Sequence, residues 1–177
     1  MRDAGKELMK KLVFAAACLA SVASFGARSV AVNVPDGRFD SSVGAERRND
    51  DIDRFAYLRV TSTNGWIACA VTAEDAGRRM VLVSVRSGAA KALDANAARI
   101  DLVRTVGEGE AAKTETLKSW PVMGSEGDES WQVICLRAPE LKEGMEIRLV
   151  PGTENPPRYT DLRRVTFVDS SLMEGGR

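Results

Sequence analysis

Apolar and polar positions alternate in short segments along the chain, and the most regular of these runs from Trp66 to Val85. Side chains alternate across a β-strand, so its first six residues predict a strand with two distinct faces. One face holds Ile67, Cys69 and Val71, and the other holds Trp66, Ala68 and Ala70. A polar segment ending at Gly77 predicts a turn, and β-branched residues then favour a second strand. The segment therefore predicts a hairpin.

The same order of residues returns between Trp131 and Val150. A tryptophan begins a predicted strand, a cysteine lies inside it, a polar turn ends at Gly144, and an alternating strand follows. The residues predicted to share a face are Trp131, Val133 and Cys135 in the first strand and Met145, Ile147 and Leu149 in the second. Two hairpins of one pattern predict two sheets that face each other.

Other short segments bring the prediction to about eight or nine strands. These strands are residues 28–34, 55–60, 100–106, 114–120 and 161–169. Polar or proline-rich stretches predict loops at residues 38–54, 121–130 and 151–159, the first with little regular structure. Ser87–Arg99 is the one helix-like segment, and it is short and marginal. Short strands with turns and almost no helix favour an all-β fold, an antiparallel β-sandwich.

The first 27 residues have the parts of a secretory signal peptide. Residues 9–11 supply positive charge, residues 12–20 are apolar, and residues 1–8 resemble an upstream extension. The apolar run is too short to span a bilayer, so we expect a secreted or periplasmic protein. A membrane anchor, a gene-calling artefact and lipidation at Cys18, as in a bacterial lipoprotein, are the alternatives.

The predicted layout after this leader is one sandwich with a tail. Residues 28–54 form the first strand and the long polar loop, residues 55–169 form the body, and residues 170–177 form a flexible tail.

The charge and the residue composition exclude several classes of function. The chain has 25 basic and 25 acidic residues and no long basic run, which argues against a nucleic-acid partner. Its arginine pairs are expected to be solvated: Arg47-Arg48, Arg78-Arg79 and Arg163-Arg164. The chain has no histidine, which excludes Ser-His-Asp and Cys-His nucleophile systems and nearly all catalytic zinc sites.

Two cysteines remain after the leader, Cys69 and Cys135, and both fall on strand faces expected to point inward. An oxidising compartment allows a disulfide between them, and two buried free thiols are the alternative. Asp50-Asp51-x-Asp53 offers oxygens of the kind that calcium prefers. This segment lacks the glycine and the distal glutamate of an EF-hand loop, so a solvated loop is favoured and no cofactor or metal ligand is assigned.

Three groups of motifs resemble those of jelly-roll carbohydrate-binding modules of the family 6 and family 35 type, which are galactose-binding-like sandwiches. Asn64-Gly65-Trp66-Ile67 and the strands up to Val85 are similar to an early hairpin of these modules. Ser130–Val133 with Leu141–Leu149 resembles a later hairpin, and Asp161–Phe167 resembles the closing strand. The likeness covers about residues 55–169 and implies a jelly roll that binds a glycan. The family's calcium-holding glutamate has no clear counterpart here.

Carbohydrate binding needs a flat aromatic face with directed hydrogen-bonding groups nearby. Trp120 precedes a proline and a polar loop, so it is the candidate platform. The candidate polar rim is Asn155, Tyr159 and Asp161. The aromatic residues of other strands are assigned to packing: Trp66, Trp131 and Tyr57.

The leading hypothesis is a secreted, non-catalytic module that tethers its host or a partner to a glycan through loops at one end. The alternative is a structural or protein-interaction sandwich of the cell surface or periplasm, with another surface protein as its partner. An exposed Trp120 ring favours the first and a buried ring favours the second. A glycan enzyme would need two carboxylates in one cleft, whereas most carboxylates fall in polar loops. No membrane span is expected.

Overall fold

The computed structural model describes residues 29–50, 54–88, 97–124, 130–153 and 157–169. Within these ranges the chain forms strands and short 3-10 turns and no α-helix. The ten strands are β1 (Ser29–Asn33), β2 (Ala45–Asn49), β3 (Ala56–Val60), β4 (Ile67–Ala70), β5 (Met80–Gly88), β6 (Ala98–Val106), β7 (Lys113–Val122), β8 (Gln132–Arg137), β9 (Met145–Pro151) and β10 (Tyr159–Val168). The all-β prediction is confirmed, with slightly more strands than expected.

The strands form two antiparallel sheets, as predicted for a β-sandwich. The six-stranded sheet has the order β2-β3-β10-β5-β8, with β1 also paired to β10. The four-stranded sheet has the order β4-β9-β6-β7. Along one edge of β10, β3 pairs with residues 161–162 and β1 pairs with residues 164–168. β10 therefore changes partner on this edge at Arg163.

The two repeated strand–turn–strand segments are arches between the sheets and not hairpins. β4 pairs with β9 in the four-stranded sheet, and β5 pairs with β8 in the six-stranded sheet. The turn of each segment takes the chain from one sheet to the other. The two arches stack so that β4 lies beside β9 and β5 lies beside β8. The prediction of two facing sheets is confirmed, but the predicted pairing within each segment is wrong. Alternation determines which residues of a strand share a face and does not determine which strand lies beside it.

The core lies between the inward faces of the two sheets. Its largest fully buried side chains are Phe167, Ile67, Ile100, Leu102, Leu136, Leu141, Ile147, Leu149 and Leu162. Ile67, Cys69 and Val71 belong to this core, as their alternation predicts. Burial raises the pKa of the Cys69 thiol to about 12, although the nearby Arg38 charge opposes the rise. The Cys69 thiol is therefore protonated at neutral pH.

The second cysteine lies on the outside of the sandwich. Cys135 is exposed and both cysteines are free thiols, so the disulfide left open by the sequence is not formed. Ile134 and Leu136 fill the inward positions of β8, and the alternating residues Val133 and Cys135 therefore face outward. The inward placement of Cys135 was wrong because the alternation of β8 does not itself say which face is buried.

The predicted loop at residues 38–54 contains regular structure. A 3-10 turn covers Gly37–Phe39, and β2 follows as the edge strand beside β3. Phe39 is buried in the core, whereas four of the five residues of β2 are exposed. An edge strand with so little burial lacks the apolar alternation by which strands are recognised in a sequence.

Several predictions concern residues outside the described ranges. They are the leader at 1–27, the tail at 170–177, the central part of the helix-like segment at 89–96, and Asp51, Asp53 and Asn155. The ends of the helix-like segment belong to β5 and β6. In the part of the chain that the structure covers, we find no helix with the length and apolarity needed to cross a bilayer.

Candidate functional site

The outer face of the six-stranded sheet carries aromatic rings and guanidinium groups in alternation. Leu58, Val85 and Leu162 point into the core from β3, β5 and β10, so the neighbouring residues on these strands point outward. From one end to the other, the side chains are Tyr159, Arg59, Tyr57, Arg86, Trp131, Arg163 and Phe55. We call this set the arginine–aromatic row.

Each guanidinium of the row lies over at least two rings. The Cζ of Arg59 is 5.1 Å from the ring centroid of Tyr159 and 5.7 Å from that of Tyr57. Arg86 Cζ is 4.8 Å from the Tyr57 centroid and 4.6 Å from the Trp131 centroid. These separations fall within the roughly 6 Å over which a cation is attracted to an aromatic face.

The row continues through Arg163, whose Cζ is 4.9 Å from the Trp131 centroid and 5.8 Å from the Phe55 centroid. Tyr57 and Trp131 also meet edge to face, with their centroids 5.7 Å apart. The rings and cations therefore hold one another in place across β3, β5, β10 and the start of β8.

A buried carboxylate fixes two of the arginines. Asp161 is fully buried, and its Oδ1 accepts a hydrogen bond from Arg59 Nε at 2.7 Å. Its Oδ2 accepts from Arg59 Nη2 at 2.7 Å and from Arg86 Nε at 2.8 Å. Charge-assisted and paired bonds of this kind are short and directional. Asp161 therefore orients both guanidinium groups against the rings.

Arg86 remains charged despite its burial. Desolvation alone would lower the pKa of Arg86, but the hydrogen bond and charge of Asp161, together with Tyr57 and Asp50, raise it above its ordinary value. Asp50 Oδ2 lies 3.6 Å from Arg86 Nη1. Asp50 follows β2, and β3 and β10 lie between β2 and β5 in the sheet. The Asp50 side chain therefore lies over this outer face, against Arg86.

A pocket of about 220 Å³ lies at the Phe55 end of the row. Its lining residues are Asn33, Val34, Phe55, Ala56, Arg163 and Arg164. It forms where β10 changes partner from β3 to β1, so the end of one strand and the start of the other meet there. It is smaller than the roughly 300–1,000 Å³ typical of ligand sites, so it suits one part of a ligand.

Three of the four rings of the row are accessible to solvent. Phe55 is 53% exposed, Trp131 and Tyr159 are half-buried, and Tyr57 is buried. Tyr159 lies against the backbone of β5 at Gly88, where a Cβ atom would come within 2.4 Å of the ring. A glycine at this position is therefore required for the ring to lie this close to the β5 backbone.

The structure separates the residues predicted to form one site. Trp120 lies on β7 of the four-stranded sheet, whereas Tyr159 and Asp161 lie on β10 of the six-stranded sheet. Tyr159 and Asp161 meet through Arg59, but the buried Asp161 carboxylate does not reach the surface. Asn155 is outside the described residues.

Trp120 is half-buried and packs against the core. Lys118 Nζ lies 5.1 Å from the centroid of its ring and donates a hydrogen bond to the Arg137 carbonyl of β8 at 2.9 Å. Trp120 therefore lies beside a contact that links the edges of the two sheets. Its half-buried ring falls between the exposed and the buried alternatives set out from the sequence.

Two tryptophans assigned to the core lie on outer faces instead. Trp131 belongs to the row, and Trp66 lies beneath Arg148, whose Cζ is 4.8 Å from the ring centroid. The core assignment was wrong because an arginine can cover a ring with its planar cation and apolar stem. A tryptophan at the start of an alternating strand therefore cannot be assigned to the core from the alternation alone.

Sequence reasoning also missed Arg59, Arg86 and Arg163 as members of a site. Arg163 is half-buried, and so is Arg78, whose Nη1 donates to the Phe167 carbonyl at 2.6 Å. The prediction that these arginine pairs are simply solvated is wrong for these two. The available signal was an arginine at an outward position in the middle of a strand.

No protein-family model and no curated protein matches this chain. It is similar to solved structures of carbohydrate-binding modules of family 6. One, from Clostridium stercorarium in complex with cellobiose, is 16% identical over 80% of this chain and 94% of that chain, with a TM-score of 0.52. Another, from Clostridium cellulolyticum in complex with xylose, is 10% identical over 79% and 97%, also with a TM-score of 0.52.

A larger enzyme contains a similar part. A family 43 arabinoxylan arabinofuranohydrolase from Bacillus subtilis is 15% identical over 79% of this chain and 27% of that chain, with a TM-score of 0.54. At these identities the likeness concerns the fold. The chain has the fold of family 6 carbohydrate-binding modules, as its sequence motifs suggested.

Proposed function

We propose that this sandwich, which has the fold of family 6 carbohydrate-binding modules, is a secreted, non-catalytic domain that binds a glycan. The observation that carries the proposal is the arginine–aromatic row. It combines accessible rings with fixed hydrogen-bond donors on one surface. Such a domain would tether its host or a partner protein to a polysaccharide.

The chemistry of the row fits a sugar. A sugar ring presents C–H groups that pack on a flat aromatic face and hydroxyl groups that accept hydrogen bonds from directed donors. Trp131 and Phe55 supply faces beside the pocket, and Arg163 supplies donors between them. Asp161 holds Arg59 and Arg86 in place before any ligand arrives, which lowers the entropy lost on binding.

The carboxylates of this face favour binding over hydrolysis. Cleavage of a glycosidic bond uses two carboxyl groups that flank the bond. Asp161 is buried with both oxygens bonded to arginines, and Asp50 is in contact with Arg86. Neither carboxyl group is placed to act on a sugar lying on the row. The signal-peptide pattern of residues 1–27 supports export.

The loop end of β7, where Trp120 lies, is a second location for the same function. A second function, contact with another surface protein, is favoured by the exposed apolar side chains on and beside β8. Val133 is 64% exposed and Met123 is 44% exposed. A protein partner would cover these side chains.

Isothermal titration calorimetry with a panel of oligosaccharides tests the proposal, using the wild-type chain, Trp131→Ala and Trp120→Ala. We expect saturable binding that Trp131→Ala weakens by at least about 10-fold, as loss of a central aromatic contact does, and that Trp120→Ala leaves unchanged. Circular dichroism would confirm that each variant is folded. Binding that only Trp120→Ala removes would move the site to the loop end. A folded protein that binds no glycan of the panel would contradict the proposal.

A further inference from the structure

We infer that the glycan is acidic, and that Arg163 and Arg164 bind its carboxylate or sulfate group in the pocket at the Phe55 end of the row. This inference rests on the proposed function, since it names the class of glycan bound at the same face. It is carried by the backbone of β10, by the hydrogen-bond partners of the two arginines, and by the charge of the surface.

A β-bulge places two consecutive arginines on one face. Leu162 and Val165 both point into the core, and the pairing of β10 with β5 shifts between Leu162 and Arg164. In a regular strand, residues 163 and 164 would point to opposite faces. The extra residue of a bulge breaks the alternation and redirects a side chain. Arg163 and Arg164 therefore both point outward, and both line the pocket.

Neutral oxygens hold these two arginines. Arg163 Nε donates to Ser84 Oγ at 3.0 Å, and Arg164 Nε donates to Asn33 Oδ1 at 2.6 Å. Among the residues that the structure describes, neither forms an ion pair. Each guanidinium is thus anchored through one nitrogen, and its positive charge is not neutralised by a carboxylate of the protein. An arginine fork of this kind matches the geometry of a carboxylate or sulfate group.

Arg163 and Arg164 add positive charge at the pocket. Arg59 and Arg86 are paired with Asp161, whereas no carboxylate of the described residues pairs with Arg163 or Arg164. The whole chain is neutral, with 25 basic and 25 acidic residues. Two positive charges without a carboxylate partner, beside accessible rings, indicate an anionic partner.

The test uses pairs of oligosaccharides that differ only in charge. They are oligogalacturonate and its methyl ester, glucuronoxylan and neutral xylan oligosaccharides, and a sulfated galactan before and after desulfation. Calorimetry would compare the wild-type chain with Arg164→Gln and with the Arg163→Gln, Arg164→Gln double variant. The uronate and sulfate arms would show which anionic group is bound.

Arg148→Gln is the matched control. Arg148 lies 4.8 Å from the ring centroid of Trp66, almost as Arg163 lies 4.9 Å from that of Trp131. Arg148, however, lies on the other sheet and pairs with Glu146 at 2.7 Å. The control therefore removes an equivalent charge and ring contact from a face whose charge is already neutralised.

We expect the acidic member of at least one pair to bind at least about 10-fold more tightly than its neutral counterpart, because hydrogen bonds to charged groups are strong. Arg164→Gln should remove most of that preference, the double variant should remove all of it, and Arg148→Gln should preserve it. Added salt should weaken binding of the acidic member only.

Equal binding of charged and neutral members, or a preference that survives the double variant, would overturn this inference and leave the proposed function standing. Failure to bind any member would overturn both.

Discussion

The arginines on the outer faces of the two sheets have different kinds of partner. On the four-stranded sheet, Arg99 pairs with Asp101 at 2.9 Å and Arg148 pairs with Glu146 at 2.7 Å. In both pairs the partner is two residues away on the same strand. The edge strand of the six-stranded sheet has one such pair, Arg48 with Glu46. In the middle of that sheet, however, one buried aspartate holds arginines from the strands on either side of it, while Arg163 and Arg164 are held by neutral oxygens.

This difference separates charges that stabilise the surface from charges that remain available to a ligand. A pair formed along one strand neutralises itself and leaves little for a partner to bind. The arrangement around Asp161 instead orients cations against aromatic rings, and the bulge of β10 adds arginines beyond those that the aspartates neutralise. A tryptophan lies beneath an arginine on each face, but among the described residues Trp131 has accessible rings and arginines without a carboxylate partner beside it.

The largest difference should appear when one buried carboxylate of each sheet, Asp161 or Asp101, is neutralised. Asp161→Asn removes the charge that compensates buried Arg86, so we expect a loss of about 3–5 kcal/mol in the free energy of unfolding. Asp101→Asn should cost about 1–2 kcal/mol, because its partner Arg99 is 47% exposed. Urea unfolding of both variants measures the difference. Equal losses would show that Asp161 has no special role on its face.

A smaller effect is expected for an exposed ring. Phe55→Ala should weaken glycan binding about 5- to 10-fold, which corresponds to an aromatic contact of about 1–1.5 kcal/mol. Because Phe55 is 53% exposed, its removal should change stability by less than about 0.5 kcal/mol. The control is Val106→Ala, an apolar residue of the other sheet that is 47% exposed. Calorimetry and urea unfolding would be compared, and a loss of affinity in both variants would argue against a site at Phe55.

The smallest expected difference is in the free energy of unfolding of two arginine variants. Arg164→Gln should change the free energy of unfolding by less than about 0.5 kcal/mol, as surface changes usually do. Arg148→Gln should cost about 1 kcal/mol, because it leaves half-buried Glu146 without its partner. Thermal and urea unfolding would measure both. A clear loss of stability in Arg164→Gln would mean that this arginine is retained for folding and not for binding.

Much of the fold could be predicted from the sequence alone. The alternation in Ile67, Cys69 and Val71 predicts their burial, and the motifs of Trp66 and Trp131 led to the sandwich that the structure has. β2 was missed because it is an exposed edge strand without an apolar face. The pairing of β4 with β9 could not be found from either segment alone, since each segment carries the same pattern whether it folds as a hairpin or as an arch.

The candidate site was predictable only in part. Tyr159 was identified, but its partners Arg59 and Arg86 were not, and Trp131 was assigned to the core. Arg59 and Asp161 are 102 residues apart in the chain, and Arg86 and Asp161 are 75 residues apart. No local pattern connects positions so far apart. Their contact exists because β3 and β5 lie on either side of β10.

The amino-acid order was sufficient to establish the all-β class, the faces of the well-buried strands and the exclusion of histidine-dependent chemistry. These properties depend on residues a few positions apart or on composition, so they are visible without a structure. The neighbours of each strand, the burial of Asp161 and the outward turn of Arg163 beside Arg164 required the folded chain. They depend on which strands pair and on where that pairing slips by one residue, and both are set by packing across the whole sandwich.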